Sequence, residues 1–559
     1  MKLKEAYTYF LVPFFCAEKA GVTSCSQLFA SSPNSIWEKA CMHNLEKNIL
    51  YPYIQSFMQD AAKEEARIEL LRQERSKKQP NNAVIEKLNV PIEQKSHYYQ
   101  IYSIKESARN GQCAGSDKAV DTELKNKLNY WKSLKNLNLC VYNKEQKEDI
   151  IFNIPKDDQD FNSPKLIISP LAKTGFLMFC IKLNSTNNTS EALVALNYLL
   201  HKTGGEQDAS CRIDLTGLQR EISDFEVKME NATTPKVKEN LERGLRQKQD
   251  TLAGVCNLLC PGGEGKWTIT DLIHFLFDGL VGKEIDSPND SIVRFNNTRI
   301  HLFTYYQLEN MDLNDANTVR EMQLDLARIV RCQNQKYKLD MEDVKASGLC
   351  TKTFQNIYMG SCVEGGGIMT ILSEESNDFL ENFHKSSFSK RYIWIYLMVL
   401  MQRYTLLHLV DELTTVDDKD LKVSLVKLKK QVEHLSAVKV NTYFTDVSDY
   451  TQHNRFYRFC MENLRIQEHF QEIDEKMSIL NTVIRHKEKE KEDKRTRRFT
   501  FILAILTLAS VSKDASDLFF DYPLAWSIFI ILLLWLIAGY AWGKEELHLF
   551  DRINKFFKL

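Results

Sequence analysis

Small and hydroxylated residues recur along one face of an apolar segment near the end of the chain. Spacings of three and four residues place them on one side of an α-helix, and they are Thr500, Ala504, Thr507, Ser510 and Asp514. Such a face lets membrane helices pack closely, and it also lets several copies line a pore. Asp514 and Asp517 would then form acidic rings at one mouth, which favour cations. We predict a pore lining, with plain helix packing as the alternative. Since one chain offers too few helices to enclose a pore, the pore requires a homo-oligomer.

A second candidate site is a run of glycines. The stretch NIYMGSCVEGGGIMTILS at 356–373 is typical of a β-hairpin, and we predict its turn at Gly365, Gly366 and Gly367. Consecutive glycines allow a ligand to approach backbone N–H groups closely. Glu364 and the three glycines are therefore candidate ligand contacts, and a flexible hairpin tip without a ligand is the alternative.

Signals for catalysis are poor. The stretch PGGEGKW at 261–267 fails the phosphate-loop pattern, since Cys260 and Trp267 stand at its two ends. No metalloprotease, serine-hydrolase or kinase motif occurs. Cys256 has Cys260 four positions on but no second Cys or His pair at a zinc-like distance. We predict a protein that is not an enzyme and requires no cofactor, and the identity of any metal it binds stays open.

Composition limits which partners the protein can bind and indicates the cellular compartment in which it folds. The 559 residues include 73 Lys and Arg against 74 Asp and Glu, a net charge of −1 that argues against direct nucleic-acid binding. The 13 cysteines show no repeated spacing, which fits a reduced, cytosolic compartment. A hydrophobic share of 43% is enough for a folded core.

Two apolar segments close the chain. Residues 524–542 carry no charge over 19 positions, about 28 Å of helix, which is enough to cross a hydrocarbon core. Residues 499–511 are shorter and reach full length only if their helix continues to about 520. We predict two transmembrane helices, at about 499–520 and 523–542, followed by a basic cytoplasmic tail at 543–559.

A third apolar run, at 392–410, is interpreted differently. Gln402 and Arg403 stand at its centre, where a lipid-facing charge costs several kcal/mol. The sequence therefore favours a buried helix of the soluble body over a third span.

The distribution of charge predicts how the two spans are oriented. Residues 485–498 carry eight Lys or Arg, and the tail carries four more, whereas the connection at 512–523 has one Lys and three Asp. By the positive-inside rule both termini lie in the cytoplasm, and we predict a multi-pass protein of the inner, cytoplasmic membrane.

Hydrophobic periodicity divides the rest of the chain into three regions. Residues 1–135 are predicted to be mainly helical, and 136–375 to be a mixed α/β, ligand-sensing body with strands such as 149–154 and 175–183. Residues 376–498 show apolar positions three and four apart and no strand signal, which predicts a helical stalk. The expected fold class is α+β, a mixed α/β body that leads into stalk helices and two membrane helices.

This layout resembles the CorA family of divalent-cation channels. The resemblance rests on 418–559: stalk helices, a first membrane helix, a short acidic connection, a second apolar helix and a basic tail. The Gly-Met-Asn signature of that family, which forms its ion-selective entrance, is absent, and SKDASDLFFDYP at 512–523 stands in its place. The large cytosolic body is similar to that of CorA-like membrane effectors associated with type III CRISPR systems.

What the resemblance implies is an antiviral membrane effector. Its cytosolic domain would bind the nucleotide second messenger SAM-AMP, and binding would open a homo-oligomeric pore or disturb the membrane. The expected partners are further copies of the chain, membrane lipid and a small nucleotide ligand. Two alternatives stay open: a divalent-cation transporter of the magnesium type with a diverged filter, and a membrane-anchored scaffold without a pore.

Overall fold

The fold is taken from a computed structural model. It describes residues 1–16, 35–39, 100–104, 118–135, 137–155, 163–169, 173–184, 188–203, 209–213, 223–224, 226–231, 234–259, 266–277, 292–294, 299–309, 311–334, 336–372, 378–414, 429, 432–433, 436, 444–519 and 531. The chain divides into two units, of which the first is Met1–Thr415 with Ser436–Ile473 and the second is Val416–Leu435 with Asp474–Leu559.

The first unit contains a mixed sheet of 14 strands. In chain order they are β1 Leu3–Cys16, β2 Trp37–Lys39, β3 Gln100–Ile104, β4 Asn138–Asn143, β5 Glu148–Asn153, β6 Lys165–Ser169, β7 Thr174–Leu183, β8 Ser210–Ile213, β9 Lys266–Thr268, β10 Ile292–Arg294, β11 His301–Glu309, β12 Cys350–Phe354, β13 Ile357–Ser361 and β14 Gly365–Leu372.

Ten α-helices and one π-helical segment, His384–Tyr392, lie among the described residues. The α-helices are α1 Lys118–Leu134, α2 Ser190–Leu200, α3 Pro235–Leu259, α4 Ile269–Leu276, α5 Ala316–Val330, α6 Met341–Ala346, α7 Asp378–Glu381, α8 Ile393–Thr414, α9 Thr451–Asn463 and α10 Ile466–Phe519. The predicted mixture of strands and helices is confirmed. In 1–135, predicted to be mainly helical, the described residues form β1, β2, β3 and α1.

The order of the strands places the opening segment at the centre of the sheet. The main path runs β12-β13-β14-β11-β1-β7-β5-β4-β8-β9, and β6 and β3 branch from β7 towards β2. Neighbours are antiparallel except β11 and β14, which run parallel and are joined by the segment that contains α5. A parallel pair needs such a crossover connection.

β1 is buried along nearly its whole length, because helices cover both faces of the sheet. Pro13 is paired with Phe176 of β7, but on the other side of β1 it falls in a gap, because pairing to β11 ends at Leu11 and pairing to β10 starts at Phe14. A proline has no N–H to donate to a neighbouring strand, and it is tolerated where that side is unpaired.

Each face of the sheet is joined to its helices by a buried polar contact. On one face, Thr8 Oγ1 donates to Asn197 Oδ1 of α2 at 2.9 Å, and Asn197 Nδ2 donates to Thr304 Oγ1 at 2.8 Å. On the other face, Thr174 and Thr405 of α8 are hydrogen-bonded at 3.0 Å, and the Phe303 ring stacks on Tyr396 with centroids 4.0 Å apart. Buried polar groups that find such partners cost little, and they specify which helix covers which face.

His384 makes the stability of the first unit sensitive to acid. Its ring stacks on Tyr7 at 3.9 Å, and Nε2 lies 2.9 Å from Tyr9 Oη. Burial, with Lys182 and Lys385 nearby, lowers the pKa of His384 to about 3. The unfolded chain takes up this proton near pH 6.5, so stability is full above that pH and is lost as pH falls towards 3. At pH 5 we expect a loss of about 2 kcal/mol from this residue.

The measurement is urea unfolding of the full-length protein in detergent between pH 7 and pH 5. His384→Gln is the comparison, because glutamine cannot titrate and keeps a polar group beside Tyr9. The wild type should lose more stability than the variant over this interval. Parallel pH curves for the two proteins would show that His384 is not protonated on unfolding.

The described part of the second unit is dominated by the C-terminal portion of α10. That helix has 54 residues and is about 81 Å long if straight. Its residues up to Ile473 belong to the first unit, and those from Asp474 belong to the second. The predicted stalk at 376–498 is thus divided, since 378–414 and 444–473 lie in the first unit.

Candidate functional site

An open cleft of about 680 Å³ lies in the first unit. This volume is within the range of small-molecule sites. Four of the lining side chains are cations and one is an anion. The lining residues are Val141, Tyr142, Asn143, Lys144, Glu145, Ala195, Tyr198, Leu199, Lys202, Ala209, Ser210, Arg212, Lys266 and Asn334.

A hairpin, a helix and two strands position most of this lining. The β4–β5 hairpin supplies the first five residues, and its turn closes at Lys147, which adopts a positive φ of 56°. The last turns of α2 supply Ala195, Tyr198 and Leu199. Strands β8 and β9 extend the sheet beyond β4 and supply Arg212 and Lys266.

Two of the cations stand directly opposite each other in the sheet. Arg212 of β8 is the register partner of Lys266 of β9, and both side chains are exposed. Like charges in such a pair destabilise a sheet. Asp149 offsets part of this repulsion, since its Oδ1 lies 2.8 Å from Arg212 Nη2. An anion bound between Arg212 and Lys266 would reduce the repulsion between them.

Aromatic rings lie beside these charges. Tyr142, at the end of β4, is 42% exposed. Lys202 Nζ lies 4.6 Å from the centroid of the Tyr198 ring and donates to Tyr198 Oη at 3.3 Å. This cation–π contact keeps the ammonium group in the cleft. Exposed aromatic faces are surfaces on which nucleotide bases stack.

The lining is also linked to the segment that follows α5. Glu145 accepts a hydrogen bond from Asn334 Nδ2, and its Oε1 lies 3.5 Å from Lys336 Nζ. The one carboxylate of the lining is therefore already paired with a cation. The cleft as a whole combines basic groups, aromatic rings and an aliphatic floor, which suits an anionic ligand with a planar ring.

A second pocket, of about 580 Å³, lies beside α9 in the same unit. Its charged lining residues are Asp446, Arg455, Arg458 and Glu462. Arg458 Nη2 is 2.7 Å from Asp446 Oδ1. With two cations and two anions, this pocket has no preference for a charged ligand. The stronger candidate is the first cleft, called the basic cleft below, whose lining cations are Lys144, Lys202, Arg212 and Lys266.

The glycines predicted as a hairpin turn lie elsewhere. The turn is formed by Cys362, Val363 and Glu364, and Gly365, Gly366 and Gly367 open the buried strand β14. The hairpin is confirmed, and its turn is three residues earlier than predicted. A Cβ on Gly366 would lie 2.7 Å from Tyr396 Cζ, so close packing alone explains that glycine. None of the four residues lines the basic cleft, and their role as ligand contacts stays a prediction.

The predicted pore-lining residues all lie on α10. Thr500, Ala504, Thr507 and Ser510 are exposed in the single chain. The Thr507 hydroxyl donates to the Leu503 carbonyl at 2.7 Å, and Thr500 does the same to Thr496 at 2.9 Å. A hydroxyl satisfied within its own helix is compatible with an apolar surrounding. Asp514 and Asp517 belong to the same helix, and their side chains lie outside the described residues.

The apolar side chains of this segment are exposed as well. Phe499 is 66% exposed, Leu506 61% and Ile502 54%, and their spacing of three and four residues places them on one face of the helix. An exposed stripe of large apolar side chains needs an apolar surrounding or an apolar partner. The second predicted span, 523–542, lies outside the described residues apart from Ile531.

One described helix is long and apolar enough to cross a membrane, and it runs from His384 to Asp411. Of its most apolar window, 78% is buried inside the protein. Its two central polar residues have partners there: Gln402 Nε2 donates to Tyr457 Oη at 3.0 Å, and Arg403 Nη1 donates to the Leu464 carbonyl. Both observations favour the interpretation that 392–410 is a core helix.

Comparison with known proteins adds no assignment. No family model matches the chain, and no curated protein or solved structure matches it. Among the described residues, no group of three or more His, Cys, Asp or Glu side chains could hold a metal ion.

Proposed function

We propose that this protein is a homo-oligomeric membrane effector controlled by an anionic, nucleotide-like ligand. The basic cleft of the first unit binds the ligand, and α10 carries the change of state to a pore lined by Thr500, Ala504, Thr507 and Ser510. The resemblance described above supports SAM-AMP as the ligand, antiviral defence as the setting and the inner membrane as the location.

The observation that carries this proposal is the continuity of α10. One helix of 54 residues begins in the folded first unit and ends in an exposed apolar segment. Its interior contains no proline or glycine, the residues that most often break or kink a helix. A change imposed at its first turns therefore reaches the apolar segment as a displacement of one element.

The energetics of such a switch are those of a population shift. A ligand moves a closed–open equilibrium only by binding the open arrangement more tightly. Moving it from 1:99 to 99:1 takes roughly 5.5 kcal/mol of differential binding. Several identical clefts in an oligomer would share this sum.

The test is ion flux through full-length protein reconstituted in liposomes, with and without SAM-AMP. Flux that depends on the ligand supports the proposal. Magnesium flux without any ligand would support the transporter alternative, and the absence of flux under both conditions would support the scaffold.

The pore lining is tested by enlarging its small residues. Thr507→Leu with Ser510→Leu adds bulk to the face and removes two hydroxyls, so we expect ligand-dependent flux to fall at least about tenfold. Ile502→Leu, about 140° from Thr507 around the helix, is the control and should keep its flux. Unchanged flux in the double variant would overturn the lining assignment.

A further inference from the structure

The charges that precede the apolar segment of α10 fall into two zones. In 485–493, four cations alternate with four acidic residues. Glu488 pairs with Lys429, and Glu490 pairs with Lys494 at 3.0 Å, which lowers the pKa of Glu490. With four cations and four acidic residues, this first zone has no net formal charge, and we call it the neutralised zone.

The second zone is a short collar of Arg495, Arg497 and Arg498. All three side chains are exposed. The next acidic residue along the chain is Asp514, 16 positions after Arg498 and about 24 Å further along the helix. The collar is therefore a concentrated positive charge, and no acidic residue follows it within the apolar segment.

The three arginines of the collar lie close together along the helix axis and point to different sides of the helix. At about 100° per residue its members point in three different directions, and together they span only about 4.5 Å of helix axis. Phe499, the first residue of the apolar segment, follows immediately and is exposed. Lipid phosphates lie within a headgroup layer that is about 5–8 Å thick on each side of the hydrocarbon core.

We infer that the collar binds the phosphate groups of anionic lipids in the cytoplasmic leaflet. This inference rests on the proposed function, because it requires 499–519 to lie in the membrane. Arginine suits the role, since its planar fork donates two parallel hydrogen bonds to a phosphate. Juxtamembrane basic residues gain about fivefold in affinity each from an anionic surface. The partner chemistry is a phosphodiester headgroup with net negative charge, such as phosphatidylglycerol.

The experiment measures lipid binding to the full-length protein in detergent by native mass spectrometry, with phosphatidylglycerol and phosphatidylcholine as probes. The wild type should hold phosphatidylglycerol about tenfold more tightly than phosphatidylcholine. The triple change Arg495→Gln, Arg497→Gln and Arg498→Gln should reduce that preference to less than about twofold. Raising the salt concentration should weaken it in the wild type.

The matched control is Lys487→Gln with Lys489→Gln and Lys491→Gln. It removes the same charge from the neutralised zone and should keep the preference for phosphatidylglycerol. Equal binding of the two lipids by the wild type, or equal losses in the two triple variants, would overturn the inference. Carbonate extraction of cell membranes separates this result from failure of the proposed function: a protein released by carbonate is not inserted, whereas a retained protein without lipid preference lacks only the collar site.

Discussion

Replacing Gly366 with alanine should lower the free energy of unfolding by about 3 kcal/mol. The added Cβ would lie 2.7 Å from both Cζ and Oη of Tyr396 and 2.8 Å from Phe303 Cδ2. Neither ring can move away freely. The Tyr396 hydroxyl is hydrogen-bonded to His301 Nε2. The rings of Phe303 and Tyr396 stack on each other, with centroids 4.0 Å apart. Thermal unfolding of the full-length protein should show the loss as a drop in midpoint of about 5 °C or more.

The neighbouring glycine is the control for this prediction. A Cβ on Gly367 would have its nearest contact, the Thr304 carbonyl oxygen, at 3.2 Å, and its next contact at 3.5 Å. Gly367→Ala should therefore cost less than about 1 kcal/mol. If Gly366→Ala kept its stability and lost a ligand instead, the packing explanation would fail and the glycine run would return as a binding site.

Neutralising the opposed cations of the cleft should abolish tight ligand binding. We expect Arg212→Gln with Lys266→Gln to weaken the binding of SAM-AMP about a hundredfold or more, because two charge-assisted hydrogen bonds to phosphate are lost. The stability of the protein should hardly change. The exposed Arg212–Asp149 ion pair contributes little to stability. The double change also removes the repulsion between Arg212 and Lys266. Calorimetry on the full-length protein measures the affinity.

Lys336→Gln is the matched control for the cleft. Lys336 is a cation near the same opening, paired with Glu145, but it does not line the cleft. Its replacement should leave the affinity within about twofold of the wild type. A double cleft variant that binds as tightly as the wild type would place the ligand elsewhere.

Local sequence patterns predicted part of the sheet, whereas β1, β2 and β3 lie in the region predicted to be mainly helical. The stretch 175–183 is apolar at nearly every position, and it forms most of β7, which is buried on both faces. Branched and aromatic residues at 149–154 likewise identified β5, Glu148–Asn153. β7 could be predicted because burial on both faces requires apolar residues at nearly every position of the strand itself.

The glycine run shows a feature that local sequence patterns cannot predict. Three glycines in a row are typical of a turn, but here they allow a tyrosine ring from a helix about 30 positions later to lie against the strand. Nothing near Gly366 in the sequence indicates that contact. The turn was misplaced because the deciding neighbour is distant along the chain.

The basic cleft could not be predicted for a related reason. Arg212 and Lys266 lie 54 positions apart on strands of four and three residues, and only the pairing of β8 with β9 brings them together. Each strand is too short to show a period. The signal that could have been noted is a single cation in each of two short β-like stretches, SCRI and KWT.

Because α10 is one unbroken helix, the distance between two of its residues also determines the angle between them around the helix axis. Each residue adds about 1.5 Å of length and about 100° of rotation. The arginine collar and the face of small residues are therefore held in a fixed phase, which a single inserted or deleted residue between them would change by more than a quarter turn. An insertion of seven residues would nearly restore that phase while adding about 10.5 Å of length. In this helix, the number of residues between the arginine collar and the small-residue face matters as much as the types of residue in each.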